Sequence, residues 1–389
     1  MSVQSFIGRL LICAAFGPLA WPVQAVPIKP ASDDEVVEVL PALPGGRSEQ
    51  KRLRKALAEQ PRDVALALTV ARRYLEQAHE SGDPRFAGMA MAAIEPWSDE
   101  ATMPDELLMM RATVQQYLHQ FDDSVRSLER LLARPSGKGQ SQAWLTLATV
   151  RRVQGRYADS DAACTQLAQT GAALHARACT AENAALRGDV DRARAAFTLL
   201  LSNPREVAAT QAWLSTSLAE LEQRAGDAAA AEAAFKRALS LAPDTYTRLA
   251  YADLLIERRR PAEALALLAS ETRSDTVLLR LAIAGTQARS ASAAADVAEM
   301  RERIALANQR PEAKVFHGRE QSMFALAVEN DAARALDLAH GNIAQQREPL
   351  DVLVLAQAAR ASGRSDALQE AKRLASEMGL VDARIQALL

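Results

Sequence analysis

Histidines, cysteines, paired carboxylates and glycine-rich turns supply most protein chemistry, and this sequence offers few of them in working combinations. Its histidines are His79, His119, His175, His317 and His340, and no two stand four residues apart around a glutamate, so there is no HExxH zinc helix. No GxSxG elbow, GxxxxGK[ST] loop or GxGxxG fingerprint occurs. The run Pro135-Ser136-Gly137-Lys138-Gly139 reads as a loop and lacks the spacing of a phosphate cradle. Asp33-Asp34 and Asp122-Asp123 are adjacent carboxylates. Acid–base catalysis needs two such groups held across a cleft with separated pKa values, whereas neighbours on a turn serve solvation and helix N-capping. The sequence therefore assigns no catalytic, cofactor-binding or metal-binding residue, and the chain reads as a non-enzyme.

Composition points to packed helices. The chain has 389 residues, 49% of them hydrophobic and only 4% aromatic, with alanine abundant. Small side chains let helices approach closely, while a sheet core would be rich in β-branched and aromatic residues. The 46 basic and 48 acidic residues are mixed along the chain, for a net charge of −2. Without a basic stripe to neutralise phosphates, nucleic-acid binding is disfavoured.

The first residues read as an export signal. Arg9 supplies the positive charge, an apolar stretch begins at Leu10, Pro18 and Pro22 break it, and Val23-Gln24-Ala25 places small residues before a cleavage point. Residues 1–25 are therefore expected to be removed, leaving a mature chain that begins at Val26 in the periplasm. Cys13 follows bulky Ile12 too early to be a lipidation site, and no later run reaches the about 20 apolar residues of a membrane helix. Residues 26–47, with Pro27, Pro30, Pro41, Pro44 and Gly45-Gly46, are expected to form an extended polar arm. A charged helix is predicted over 48–59, stopped by Pro61.

Beyond this point the chain repeats. Gly188 is followed by Ala193 and Phe197, and Gly226 by Ala231 and Phe235, each at five and nine residues. His119, Ser124 and Leu128 keep those intervals, as do Arg259, Ala264 and Leu268; Gly155 has Cys164 at nine. Asn330 with Ala335 and Ala339, and Gly363 with Leu368 and Lys372, keep the frame less closely. Each marker is expected to end a helix at a tight turn; the small residue then admits the next helix, and the larger one fills the space between them. Pro204 and Pro243 close second helices. Markers from His119 to Arg259 are separated by 36, 33, 38 and 33 residues, a period near 34.

The chain resembles the tetratricopeptide repeat family. Trp144, Leu147, Ala148, Gly155, Tyr157 and Cys164 carry the resemblance in one unit, and Leu218, Ala219, Gly226, Ala231, Phe235, Ala238 and Pro243 in another; Gly188, Ala193, Phe197 and Pro204 match in a third. The resemblance covers roughly residues 62–378, clearest over 105–271. It implies an all-α, right-handed superhelical solenoid of antiparallel helix pairs over 48–389, parsed as nine pairs. Residues 275–311 depart from the spacing at Ala284-Gly285 and the 290–295 run, with a long helix expected over 291–308. The N-terminal pair, around a Gly82-Asp83-Pro84 turn, is irregular in the manner of a cap.

The family resemblance implies a groove lined by first helices that holds a protein or peptide. By helical phase, Trp213, Glu220 and Arg224 share one face, and Tyr246, Asp253 and Glu257 follow in the next unit. Earlier units offer Tyr117, Arg152, His175 and Glu182. Trp213 and Tyr246 stand out because aromatics are scarce and often dominate interfaces; the alternative is that both pack between adjacent helices. Cys164 and Cys179, in facing helices of adjacent units, form a candidate disulfide, the alternative being two buried thiols. Three functions are consistent with the sequence: a periplasmic binding scaffold, a structural subunit of an envelope complex, and an accessory to or enzyme of envelope-polymer processing. The first is preferred.

Overall fold

The computed structural model describes residues 32, 46–81, 83–134, 139–309 and 318–389. The expected signal segment, nearly all of the polar arm, Gly82, most of the 135–139 loop and His317 lie outside the described residues. Internal contacts divide the chain into Met1–Ser48 and Glu49–Leu389, and the second unit holds the repeat array.

The array begins with α1 (Gly46–Glu59). Nine helix pairs follow among the described residues: α2 (Val64–Ser81) with α3 (Pro84–Ala93), α4 (Asp105–Tyr117) with α5 (Phe121–Leu132), and α6 (Gln140–Val153) with α7 (Tyr157–Gln169). The middle pairs are α8 (Ala173–Leu186) with α9 (Val190–Leu201), α10 (Ala208–Ala225) with α11 (Ala228–Leu241), and α12 (Thr245–Glu257) with α13 (Pro261–Leu268). Last come α14 (Asp275–Ala288) with α15 (Ala293–Asn308), α16 (Gly318–Phe324) with α17 (Ala332–Ile343), and α18 (Pro349–Ala361) with α19 (Ser365–Met378), closed by the short α20 (Ala383–Gln386). Helix α16 continues as a π-helical turn over Ala325–Glu329, a single widened turn of a kind found inside helices. No strand occurs among the described residues. The fold is an all-α solenoid of helix pairs.

The turn markers explain the geometry. His119, Gly155, Gly188, Gly226, Arg259, Asn330 and Gly363 all take positive φ, the left-handed conformation that reverses the chain after a helix. Arg289 does the same at φ 53, so α14 and α15 form a regular pair where the sequence spacing had suggested an interruption. Five residues after a marker, Ser124, Ser160, Ala193, Ala231, Ala264 and Ala335 are fully buried. Nine residues after, Leu128, Cys164, Phe197, Phe235, Leu268 and Ala339 fill the space between helices. Where the small residue is serine, its hydroxyl donates back to the partner helix: Ser124 to the Ala112 carbonyl and Ser160 to the Ala148 carbonyl, both at 2.8 Å. A buried hydroxyl is thereby satisfied without displacing the close approach.

The last pair corrects the sequence reading. Leu368 is only half-buried and Lys372 is exposed, while Ala367 and Ala371 take the inner positions. The frame there has slipped by one residue.

First helices also stack on first helices, α6 on α8 and α8 on α10, continuing through α12 and α14 to α16 and α18. A disulfide joins Cys164 of α7 to Cys179 of α8, with Cα atoms 5.8 Å apart. The Asn183 side-chain amide donates to the Cys164 Sγ at 3.6 Å.

Candidate functional site

Four successive first helices, α6, α8, α10 and α12, turn one face toward a chamber of about 540 Å³. Its walls carry Arg152 from α6, Glu182 and Leu186 from α8, Trp213, Glu220 and Arg224 from α10, and Tyr246 from α12. Glu348 and Pro349, at the start of α18, complete it. A second recess of about 290 Å³ shares Glu220, Arg224, Tyr246, Glu348 and Pro349 with the first and adds Asp253, Glu257, Arg280, Arg319 and Arg384.

The helical phase brings most of the candidate residues together. Arg152, Glu182, Trp213, Glu220, Arg224 and Tyr246 line the first recess, and Asp253 and Glu257 the second. His175 stacks on Trp213, with ring centroids 5.6 Å apart. Tyr117 lines neither recess. Its hydroxyl donates to the Ala78 carbonyl at 2.8 Å and its ring meets His79 edge-on, and burial pushes the phenol up to about 12.

The aromatic side chains differ in exposure. Trp213 is half-buried, whereas Tyr246 leaves 64% of its surface open. That exposure faces a concavity, so the ring is ringed by α10, α12, α16 and α18 while remaining reachable. Its hydroxyl donates to Glu220 Oε1 at 2.5 Å. The charge on Glu220, followed by burial, lifts the Tyr246 phenol well above its ordinary range. Burial likewise raises the Glu220 carboxyl, partly offset by the nearby Arg224.

Nearly every charge on the walls is already answered. Arg152 pairs with Glu182, which also accepts from the Ser217 hydroxyl at 2.8 Å. Asp253 is gripped by Arg280 through two bonds of 2.9 and 2.8 Å. Glu257 accepts from Gln223 at 2.8 Å and from Arg384 at 3.0 Å, and its carboxyl is raised chiefly by burial. Asp244 caps α12 through the Thr247 amide at 2.9 Å, and Glu348 pairs with Arg319. Arg224 is the exception among the charged groups lining the first recess: it makes no hydrogen bond or ion pair with any described residue, and its Nε is buried without a partner. The hydroxyl of Tyr157, itself 2% exposed, is also buried and unpaired, and lies within electrostatic reach of Arg224, Arg152 and Glu348. A buried donor left unmet costs about 1–3 kcal/mol, so this corner of the chamber has an unmet demand for an acceptor.

Among the described residues, no three His, Cys, Asp or Glu side chains gather as a metal site would. No described helix is long and apolar enough to cross a membrane.

The chain is similar in fold to tetratricopeptide-repeat proteins. YrrB, described as a TPR protein with an unusual peptide-binding site, is 13% identical and aligns over 51% of this chain and 96% of its own, with a TM-score of 0.31. A tetratricopeptide repeat protein from Parabacteroides merdae is 16% identical over 65% of this chain and 98% of its own, at a TM-score of 0.36. A Rap protein complexed with competence and sporulation factor is 12% identical over 85% of this chain and 92% of its own, at 0.45. No family model matches the chain, and no curated protein matches it. At these scores the likeness lends no weight to the reading of the site, which stands on the chamber's own geometry.

Phase along the sequence could not show Glu348, Pro349, Arg319 and Arg384, which reach the chamber from far along the chain. Arg384 and Glu257 are 127 residues apart.

Proposed function

We propose that the protein is an exported, non-enzymatic scaffold of the bacterial periplasm that holds a peptide or a protein segment in the chamber of α6, α8, α10 and α12. The observation carrying this reading is the combination on one wall of the open Tyr246 ring, the Trp213 ring and an Arg224 guanidinium with no acceptor. Apolar atoms of the guest pack on the two rings, and an acidic group meets Arg224, whose planar fork of donors suits a carboxylate. The signal-like residues around Arg9 and Ala25 support export.

The paired substitution of Trp213 and Tyr246 by alanine tests the reading. Lost partner capture with unchanged thermal unfolding supports the chamber as the binding site. Retained capture with a large loss of stability assigns both rings to the core and overturns it.

A further inference from the structure

The C-terminal segment runs across the middle of the array in step with its repeats. Met378 lies against the turn at Gly155, where an added Cβ would come within 3.0 Å of its side chain. Val381 lies against Gly188, 2.9 Å from the same construction, and Ala383 against Gly226 at 3.5 Å. Arg384 then reaches the end of the next first helix and bonds Glu257 at 3.0 Å. Four successive pairs are thus touched in order by residues 378–384. At Gly155 and Gly188 glycine serves both positive φ and clearance, whereas at Gly226 the neighbour stands at ordinary contact distance; at Gly171 and Gly363, also at positive φ, nothing lies within 4 Å.

Two backbone bonds fasten the seam. The Val381 amide donates to the Leu186 carbonyl at 2.8 Å, and the Arg347 amide to the Val153 carbonyl at 2.7 Å. The second bond stands directly beside Glu348 and Pro349, the residues that complete the chamber. Behind them, Arg319 holds Asp351 through bonds of 2.6 and 2.9 Å, and the Glu348 amide donates to Asp351 at 2.7 Å. The start of α18 is therefore rigid in itself, and its place over the chamber is set by the seam. Tyr157 and Leu186 join the apolar cluster of the C-terminal helices, which gives the seam a dry centre.

Parting this seam breaks none of the contacts between consecutive pairs. In a solenoid each pair is held by its neighbours in sequence, so the seam can separate while the stack remains folded. We propose that residues 378–384 are a strap that holds the array closed over the chamber, and that its release opens the chamber to a guest too large to enter the closed form. The proposal rests on the chamber being the binding site, and it deepens that reading by naming what controls access.

Two substitutions in the full mature chain test it. Glu257→Gln removes the charge opposite Arg384 while leaving the Arg384–Asp382 bond intact, and Val381→Asp places a charge against the Gly188 turn at a side chain that is 37% exposed. Hydrogen exchange and small-angle scattering are the readouts, and neither needs a ligand. The expected result is exchange faster by about tenfold at the amides of Val381 and Arg347, a larger radius of gyration, and unchanged protection in α4, which the strap does not touch. Unchanged exchange at both amides in both variants overturns the strap, as does acceleration that spreads equally into α4. Failure here leaves the paired Trp213 and Tyr246 test untouched; failure there removes the guest, and with it control of access, but not the strap's hold on the array.

Discussion

Breaking the Cys164–Cys179 bridge should loosen one junction of the array by about 3 kcal/mol and leave distant pairs unaffected. The bridge closes a loop of 15 residues and ties the second helix of one pair to the first helix of the next. In the chain-entropy description a loop of that length contributes about 3 kcal/mol by restricting the unfolded chain. Reduction keeps both thiols in place, 1% and 2% exposed, so no cavity opens and the entropic part is isolated. A repeat array does not unfold as one two-state unit, so a single midpoint would average the effect away. Hydrogen exchange resolved along the chain is the suitable assay. The protein is reduced in denaturant, refolded with reductant present, and compared with the oxidised form. Amides of α7 and α8 should exchange faster by about a hundredfold, the equivalent of 3 kcal/mol, with α14 and α15 unchanged. Equal exchange in α7 and α8 of both forms would refute the reasoning. So would two alkyl groups added to the unreduced, denatured chain.

Further outcomes follow from other contacts. Arg224→Ala should raise stability in chemical unfolding, by up to about 1–3 kcal/mol, because it removes a buried Nε donor that has no acceptor, whereas Arg280→Ala strands the Asp253 carboxylate and should cost about 3–5 kcal/mol. Gly171 and Gly188 share φ 85 and differ in what a Cβ meets, so Gly188→Ala should destabilise more than Gly171→Ala, with the excess reduced by Val381→Ala, which removes the Cγ contacts, and removed by Val381→Gly. Burial raises the folded-state pKa of Glu220, so the native state holds that proton more tightly; stability from this group is complete below the ordinary carboxylate range and falls as pH rises through it. Glu220→Gln should therefore gain over wild type as pH rises and match it in acid, and a constant difference across pH would contradict this.

The repeat was legible because its signals are local. His119, Gly155, Gly188, Gly226, Arg259, Asn330 and Gly363 were recognisable by interval, and all adopt the left-handed turn. Arg289 is not marked by interval, because the residues five and nine positions on, Ala294 and Ala298, are exposed; its turn is nevertheless closed like the others, by a hydrogen bond from the Ser290 amide to the Gly285 carbonyl. The slip from Leu368 and Lys372 to Ala367 and Ala371 was hidden because alanine and leucine both satisfy an apolar frame, and only the packing decides between them. The phase of α10 and α12 placed Trp213, Glu220, Arg224 and Tyr246 on one wall, since side chains three or four apart share a face. Glu348, Pro349 and the strap arrive through curvature accumulated over many pairs, which no local interval encodes.

The chamber is proposed as the place where a partner binds. A photo-crosslinking benzophenone side chain at Tyr246 tests this, with Leu199 of the second helix α9 as a control of equal exposure, since both residues are 64% open. Irradiation of cells producing each variant should yield a discrete partner adduct from position 246 and none from position 199, and Arg224→Ala should abolish it. Adducts from position 199 alone, or an adduct at 246 that Arg224→Ala leaves intact, would contradict a chamber that recognises its guest through Arg224.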